Sequence, residues 1–317
     1  MVKVLVTGGA GFIGSHIVEG LLSKGYKVVV LDNLFSGKKD NLSAVKDKIT
    51  FIEGDIRDEK SVAKAMKGID HVLHQAARRS VPASFDDPKE YCDVNILGTI
   101  TLLEAARKAE VKSFVFASSS SVYGGSGKIP QEELDPKLPL SPYAATKLSG
   151  EYYLKVYNSI YGMNTIALRY FNVFGPRQDP SSQYSAVIPL FITSVLKGIS
   201  PTIHGDGEQS RDFTYVDNIV SANIFAMNSK SCGGEAFNIA NGESISVNTV
   251  LSRINILLGK SLKGTHSPAR QGDVRKTLAD NSRAKKELSY KCVVDFDEGM
   301  KRTVEWYKQQ AGAGAKR

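Results

Sequence analysis

The sequence predicts an α/β protein, a doubly wound parallel sheet with a smaller C-terminal lobe. Three observations carry this. Short apolar, β-branched runs alternate with stretches of helical periodicity through the first 172 residues, which is the pattern of a parallel sheet covered by helices. A glycine cluster, Gly8-Gly9-Ala10-Gly11-Phe12-Ile13-Gly14, falls where the first strand meets the first helix. Beyond Asn172 prolines and glycines become frequent and the alternation breaks up.

The elements follow in chain order. Val2 to Thr7 is a short apolar run, a buried strand, and Phe12 to Ser23 has helical spacing. Tyr26 to Leu31 and Ile49 to Ile52 are the next strands, and Glu59 to Met66 is a short helix. His71 to His74 and Ser113 to Ala117 are strands separated by a helical stretch around Ile96 to Lys108. A long helix is expected from Pro142 to Tyr161, and a strand from Thr165 to Arg169. Segments near Gly175–Tyr184, Gly205–Asp212 and Ser267–Asp273 read as polar and basic loops. The chain therefore divides into a first domain, 1–172, and a lobe, 173–310, with 311–317 expected to be a disordered tail.

The bulk numbers narrow the class. A chain of 317 residues allows one large or two modest domains. The charge of +8 could suit nucleic acid, but the lysines are scattered over helical segments rather than massed. That reads as a solvated surface with a bias toward anionic small molecules, and no nucleic-acid partner is expected. Cys92, Cys232 and Cys292 are odd in number and far apart, so neither a disulfide framework nor a metal is expected, and a reducing cytoplasm fits. No apolar run reaches the ~20 residues that span a bilayer, and the N-terminus reads as a strand rather than a signal segment.

The glycine cluster has a chemical meaning. Gly8, Gly11 and Gly14 let the backbone turn tightly and approach a pyrophosphate. Phe12 and Ile13 open the helix, whose free amides and partial positive charge suit an anion. Strand, glycines and helix in that order predict a Rossmann-type dinucleotide site. Asp32 ends the second strand, ~20 residues on, where an acid binds ribose hydroxyls. Its charge would repel a 2′-phosphate, so NAD is expected rather than NADP. Asp55 is open to two readings: it and Ile56 meet the adenine edge, or Asp55 caps the next helix.

Tyr143 and Lys147 are four residues apart, hence on one helix face. An ammonium beside a phenol favours the phenolate and lowers its pKa. Such a tyrosine can take a proton from a sugar hydroxyl while a nicotinamide takes the hydride.

Several segments recur in a familiar order: Thr7–Gly14, Asp32-Asn-Leu34, His74-Gln-Ala-Ala77, Asn95, Ser118–Gly124, Tyr143 with Lys147, Arg169-Tyr-Phe-Asn172, Arg211-Asp-Phe213 and Arg270-Gln-Gly-Asp273. On them the chain resembles the extended short-chain dehydrogenase/reductases, in the UDP-glucose/UDP-N-acetylglucosamine 4-epimerase group, over residues 1 to about 308. The resemblance implies that Tyr143 is the general base and that Lys147 holds the nicotinamide ribose. It implies that one serine of the run bridges to the sugar hydroxyl, Ser119 first and Ser120 second. Gln75, Ala76, Ala77 and Ser118 would line the nicotinamide side. Asn33, Ser36, Gly37 and Phe171 would join the cofactor set, and Asn95 would brace the active-site helix. Arg79 falls where galactose-type enzymes carry a lysine near the cofactor phosphates. Arg78 has no assigned role.

For the substrate, the resemblance implies that Arg211 and Arg270 clamp the diphosphate, a task suited to guanidinium forks. Asn172 would contact diphosphate or sugar, Thr202, Ile203 and His204 the uracil, and Asp273 the uridine ribose. Ala186 and Val187 would lie near the substrate. Thr277 takes the gatekeeper position, where a small residue admits an N-acetyl group. The implied reaction is 4-epimerisation through a transient 4-keto sugar. UDP-GlcNAc/UDP-GalNAc is the first pair, and UDP-Glc/UDP-Gal a further one. A UDP-glucuronate epimerase or decarboxylase is the alternative. A dehydratase would need an acid pair that Ser119–Tyr123 lacks, and a non-catalytic NAD-sensing protein usually loses the tyrosine or lysine kept here. The family's homodimer, a four-helix interface, would use the stretches Tyr91–Lys108 and Tyr143–Tyr161.

Overall fold

The computed structural model describes residues 1–124, 127–180, 186–230, 232–269 and 274–314. The chain begins with β1 (Lys3–Thr7), α1 (Phe12–Ser23), β2 (Lys27–Asp32), β3 (Ile49–Glu53), α2 (Glu59–Ala65) and β4 (His71–His74). It continues through α3 (Ala83–Asp86), α4 (Pro88–Cys92), α5 (Gly98–Lys108), β5 (Ser113–Ser119), α6 (Pro142–Tyr161) and β6 (Thr165–Tyr170). β1 to β6 pair in parallel, with β1 between β2 and β4. The chain thus reverses its direction of winding at β1, and the crevice at the strand ends there is where such sheets bind ligands.

Burial explains why the strands read as continuous apolar runs. Val4 and Val6 enter one core with Ile17 of α1, while Leu5 between them enters the opposite core with Leu102 of α5 and Leu154 of α6. Both faces are covered, so neither alternate set can be polar.

α4 does not stop before α5. The residues Asp93–Leu97 form a single wide π-type turn joining the two into one rod. The expected helix start near Ile96 therefore lies inside a longer element. Such wide turns occur often at functional sites, and this one carries Asn95.

The later chain is β7 (Val173–Phe174), α7 (Val187–Leu196), β8 (Thr202–His204), β9 (Ser210–Asp212), β10 (Thr214–Tyr215), α8 (Val216–Asn228), β11 (Glu235–Ile239), β12 (Ser244–Ser246), α9 (Val247–Leu258), β13 (Thr265–Ser267), α10 (Ser282–Glu287) and α11 (Phe296–Gly314). Two elements beyond residue 172 belong to the first layer rather than to the lobe. α8 packs on α1, and β11 pairs with β6 as the seventh strand of the main sheet. The rest forms a lobe around its own core, which includes Phe174, Phe191, Phe213, Ile254 and Phe296. Two of its strand pairs, β8 with β13 and β9 with β12, lie partly in segments expected to be loops. α11 runs on to Gly314, so the segment expected to be a tail from 311 begins as helix. Among the described residues no helix is long and apolar enough to cross a membrane.

Candidate active site

The floor of the crevice is the glycine turn. Gly8 has φ +68°, and a Cβ there would stand 2.7 Å from the Ala76 backbone nitrogen. A Cβ at Gly14 would collide with the Gly8 carbonyl. No side chain caps α1, so its first-turn amides are left for a ligand, and a phosphate is the natural acceptor. Above them lies a cavity of about 620 Å³. All the cofactor residues expected from the sequence line it, except Asn95 and Phe171.

Those two stand behind the wall. Asn95 is 2% exposed. Its Oδ1 accepts from the Arg78 amide (2.8 Å), and its Nδ2 donates to the Arg78 carbonyl and to Thr146 Oγ1, both at 3.0 Å. It therefore ties the loop after β4 to α6, the bracing role expected of it. Phe171 is fully buried among Val122, Tyr123 and Ala240, and its amide bonds to Ile239 of β11. It supports the sheet and does not reach the cavity.

The two acids are engaged differently. Asp32 accepts from the amides of Ala10 (2.9 Å) and Leu34 (2.8 Å), which ties the glycine turn to the end of β2. Burial pushes its pKa up, against the pull of these amides. Asp55 is gripped by Arg57, with Nη2 to Oδ2 at 2.8 Å, and takes Asn33 Nδ2 at 2.9 Å. The Arg57 hydrogen bond holds its pKa down at about 2. The cap of α2 is Asp58, which accepts from the amide of Ser61 at 2.9 Å. The capping reading of Asp55 is thereby overturned, because the helix starts three residues later.

At the reacting end, three consecutive residues of β5 meet three successive turns of α6. Lys147 Nζ donates to the Ala117 carbonyl at 2.8 Å. Ser118 Oγ donates to Glu151 Oε1 at 2.5 Å. Ser119 lies near enough to the Tyr143 phenol to pull its pKa down, and its Oγ accepts from Ser121 Oγ at 2.9 Å. Of the two candidate serines, Ser119 is the one whose side chain acts on the phenol's pKa. Positions 143, 147 and 151 form one stripe of the helix. Glu151, missed from sequence, was legible as the third member of that spacing. It is clamped by Arg169 of β6, with Nη2 to Oε2 at 2.6 Å and Nε to Oε1 at 2.8 Å.

Burial raises the Tyr143 pKa, while the Ser119 side chain and the charge of Arg79 pull it down. The Lys147 ammonium is bonded to Ala117 and lies 5.9 Å from the Tyr143 ring centre. Burial lowers the pKa of Lys147 itself to about 7. Desolvation is the largest influence on the phenol.

A second cavity, about 670 Å³, opens between the sheet and the lobe. It is lined by Asn172, Ala186, Val187, Thr202, Ile203, His204 and Arg211, all expected substrate residues. Asn172 adopts φ +32°, an uncommon backbone for a side-chain-bearing residue, held by its Nδ2 donating to the Asp212 carbonyl at 3.0 Å. Thr277 is not on the wall but touches it. Its hydroxyl accepts from Asn172 Nδ2 and from the Asp212 amide, both at 3.2 Å. Arg270 and Asp273 lie outside the described residues.

A model of the NAD dependent epimerase/dehydratase family matches residues 4–240. The chain belongs to that family. A putative UDP-glucose 4-epimerase of Methanocaldococcus jannaschii is 43% identical over 96% of this chain and 98% of its own length. The UDP-N-acetylglucosamine 4-epimerase of Methanobrevibacter ruminantium, solved in complex with UDP-N-acetylmuramic acid, is 43% identical with a TM-score of 0.93, covering 98% of this chain and 99% of that one. The UDP-glucose 4-epimerase of Thermus thermophilus, solved in complex with NAD, is 39% identical with a TM-score of 0.88, covering 97% and 99%. The chain is accordingly an NAD-dependent enzyme of the UDP-sugar 4-epimerase group, within the extended short-chain dehydrogenase/reductases.

The epimerase's own residues fit the cofactor. The glycine cradle excludes any side chain, α1 has no side-chain cap on its first amides, and the buried Arg78 Nη1 has no hydrogen-bond partner among the described residues. The Tyr143–Ser119 pair and Lys147 lie at the β5 end of the same crevice, where a nicotinamide would lie.

Proposed function

We propose that this enzyme interconverts UDP-GlcNAc and UDP-GalNAc by 4-epimerisation and accepts UDP-Glc and UDP-Gal as further substrates. The observation that carries the sugar preference is Thr277. It is a small side chain hydrogen-bonded to Asn172, which lines the second cavity. A bulkier group there would fill the space an acetamido substituent needs, and overfilling costs ~1–3 kcal/mol. The relative from Methanobrevibacter, 43% identical and a UDP-N-acetylglucosamine 4-epimerase, supports the same choice.

NAD, when bound, would accept the C4 hydride and give it back to the opposite face of the sugar, so that no net redox change is left. Tyr143 takes the proton of the sugar 4-hydroxyl, with the Ser119 hydroxyl near the phenol so that both oxygens reach that hydroxyl. The buried ammonium of Lys147 orients the ribose beside it. Arg79 contributes positive charge toward the phenolate. Arg211, Asn172 and the segment Thr202–His204 hold the nucleotide of the substrate while the hexose turns. Tyr143 then returns the proton, and the walls around it keep water from the 4-keto sugar.

A uronate substrate is the second reading, because Arg79 is a cation near Tyr143 that a carboxylate could meet. Incubation with UDP-GlcNAc, UDP-Glc and UDP-GlcA separately, with the epimers resolved by anion exchange, tests all three. Conversion of UDP-GlcA in preference to the other two would overturn the proposal.

We also propose a homodimer. Tyr152, Val156 and Ile160 recur every fourth residue along α6 and are 61%, 51% and 69% exposed, with Leu97 of the wide turn 55% exposed. Two such faces packed together give a four-helix interface. Light scattering that finds a monomer at micromolar concentration would sink this. The reducing compartment expected from the unpaired cysteines points to the cytoplasm.

A further inference from the structure

Arg78 and Phe35 have no part in the chemistry above, yet both line the cofactor cavity. Phe35 follows β2 and Arg78 follows β4, and in the sheet β1 lies between those two strands. Their side chains meet across the carboxyl end of β1, bridging the crevice whose floor is the glycine turn. The Arg78 guanidinium carbon stands 3.1 Å from the centre of the Phe35 ring. Phe35 remains 69% exposed, so it is not part of a core, and this cation–π contact is its notable interaction.

The guanidinium is held in place from behind. Its Nε and Nη2 both donate to Glu90 Oε1, and the other Glu90 oxygen takes Arg57 Nη1 at 3.0 Å. Arg57 in turn grips Asp55. The backbone amide and carbonyl of Arg78 are both bonded to Asn95. One donor is left over. Arg78 Nη1 is buried and has no hydrogen-bond partner among the described residues. A buried donor without an acceptor is rare, and this one belongs to a residue on the wall of a nucleotide cavity. A guanidinium fixed by a carboxylate, faced by a ring and carrying a spare donor is suited to a phosphate or ribose oxygen.

We propose that Arg78 and Phe35 form a clasp over the adenosine–phosphate half of NAD. Arg78 Nη1 donates to an oxygen of the dinucleotide, and the Phe35 ring keeps the guanidinium from swinging away. The half is assigned by position. Tyr143 and Lys147 hold the other end at β5, whereas Phe35, Asp55 and Arg57 stand at the ends of β2 and β3. Release of NAD then requires the ring and the guanidinium to part.

The test is a release measurement on the holoenzyme. Protein carrying NAD is freed of unbound cofactor and mixed with a large excess of ADP-ribose, and the NAD appearing in the filtrate is followed with time. Phe35→Leu and Arg78→Met should each release NAD on the order of tenfold faster, as expected for loss of a partly desolvated cation–π contact or of a charge-assisted hydrogen bond. Phe35→Tyr keeps the π face and should stay within about twofold of the parent rate, on the same reasoning. Thermal melting followed by circular dichroism establishes that each variant is folded. Phe35→Leu changes an exposed side chain, so it decides the matter even if the Arg78 variant is unstable. Parent-like release from either Phe35→Leu or Arg78→Met overturns the clasp, and so does release from Phe35→Tyr as fast as from Phe35→Leu.

Discussion

Replacing Glu151 by Gln removes one negative charge from a pair that is 8% exposed on the acid side and 4% on the arginine side. The Arg169 guanidinium is then left in the interior with neutral acceptors in place of a carboxylate: the Gln amide oxygen, the Tyr123 hydroxyl at 2.8 Å and the Glu133 carbonyl at 3.0 Å. Breaking a buried pair from one side costs ~3–5 kcal/mol. At ~2–4 °C per kcal/mol for a chain somewhat shorter than this one, the melting midpoint should fall by roughly 6–20 °C. Because Glu151 also receives Ser118, the residue next to Ser119, turnover should fall as well, while KM for the nucleotide sugar changes little. Replacing both partners, Glu151→Leu with Arg169→Met, should recover more than half of the lost stability, since no uncompensated charge remains. Urea denaturation followed by circular dichroism measures both variants. A single-variant loss below about 1 kcal/mol, or a double variant as damaged as two independent losses would make it, refutes the reasoning.

Tyr143→Phe removes the proton acceptor but keeps the ring, so kcat should drop by ~10²–10⁴ with co-purifying NAD unchanged. A rate near the parent's would contradict the role given to Tyr143. Thr277→Tyr should shift the UDP-GlcNAc to UDP-Glc ratio of kcat/KM by ~10–100-fold against the N-acetyl sugar, and an unmoved ratio in the product assay would show that Thr277 does not gate the pocket. The pH dependence of stability can be traced to His16, whose pKa is lowered to about 4 by burial and by the charge of Arg177. Between that value and the ordinary one near 6.5 the unfolded chain binds a proton that the native protein does not, so stability falls as pH is lowered through that window. Urea midpoints at pH 7 and pH 5 should differ, and the difference should shrink in His16→Gln. An unchanged difference would assign the effect to other groups, such as the buried His74.

The elements that were legible carry their own boundaries. α6 is legible at its observed limits because Ser141 caps it, Pro142 starts it and Gly162 ends it with φ +66°. The glycine turn and the Tyr143–Lys147 pair are legible because their chemistry depends on fixed local spacing. β11 is not. Glu235-Ala-Phe-Asn-Ile239 is short and mixed in polarity, and its partner β6 lies far back in the sequence. β9, Ser210-Arg-Asp212, offers no apolar alternation at all. Arg78 gives no local signal either, since its meaning comes from Phe35, Glu90 and Asn95, which reach it from other elements. Spacing says that Tyr143 and Lys147 share a face, but not that the ammonium's hydrogen bond goes to Ala117.

β11 has a consequence for how this protein can be divided. A fragment ending at residue 172 would hold the glycine turn, Tyr143 and Lys147, and it looks like a complete nucleotide-binding unit on paper. It would leave the full length of β6, Thr165–Tyr170, as an open apolar edge. Such an edge is a template for pairing with another chain. The fragment should therefore precipitate or self-associate rather than bind NAD. A cut at residue 172 cannot separate the two cavities cleanly, because the chain beyond it also supplies the last strand of the sheet beneath the first.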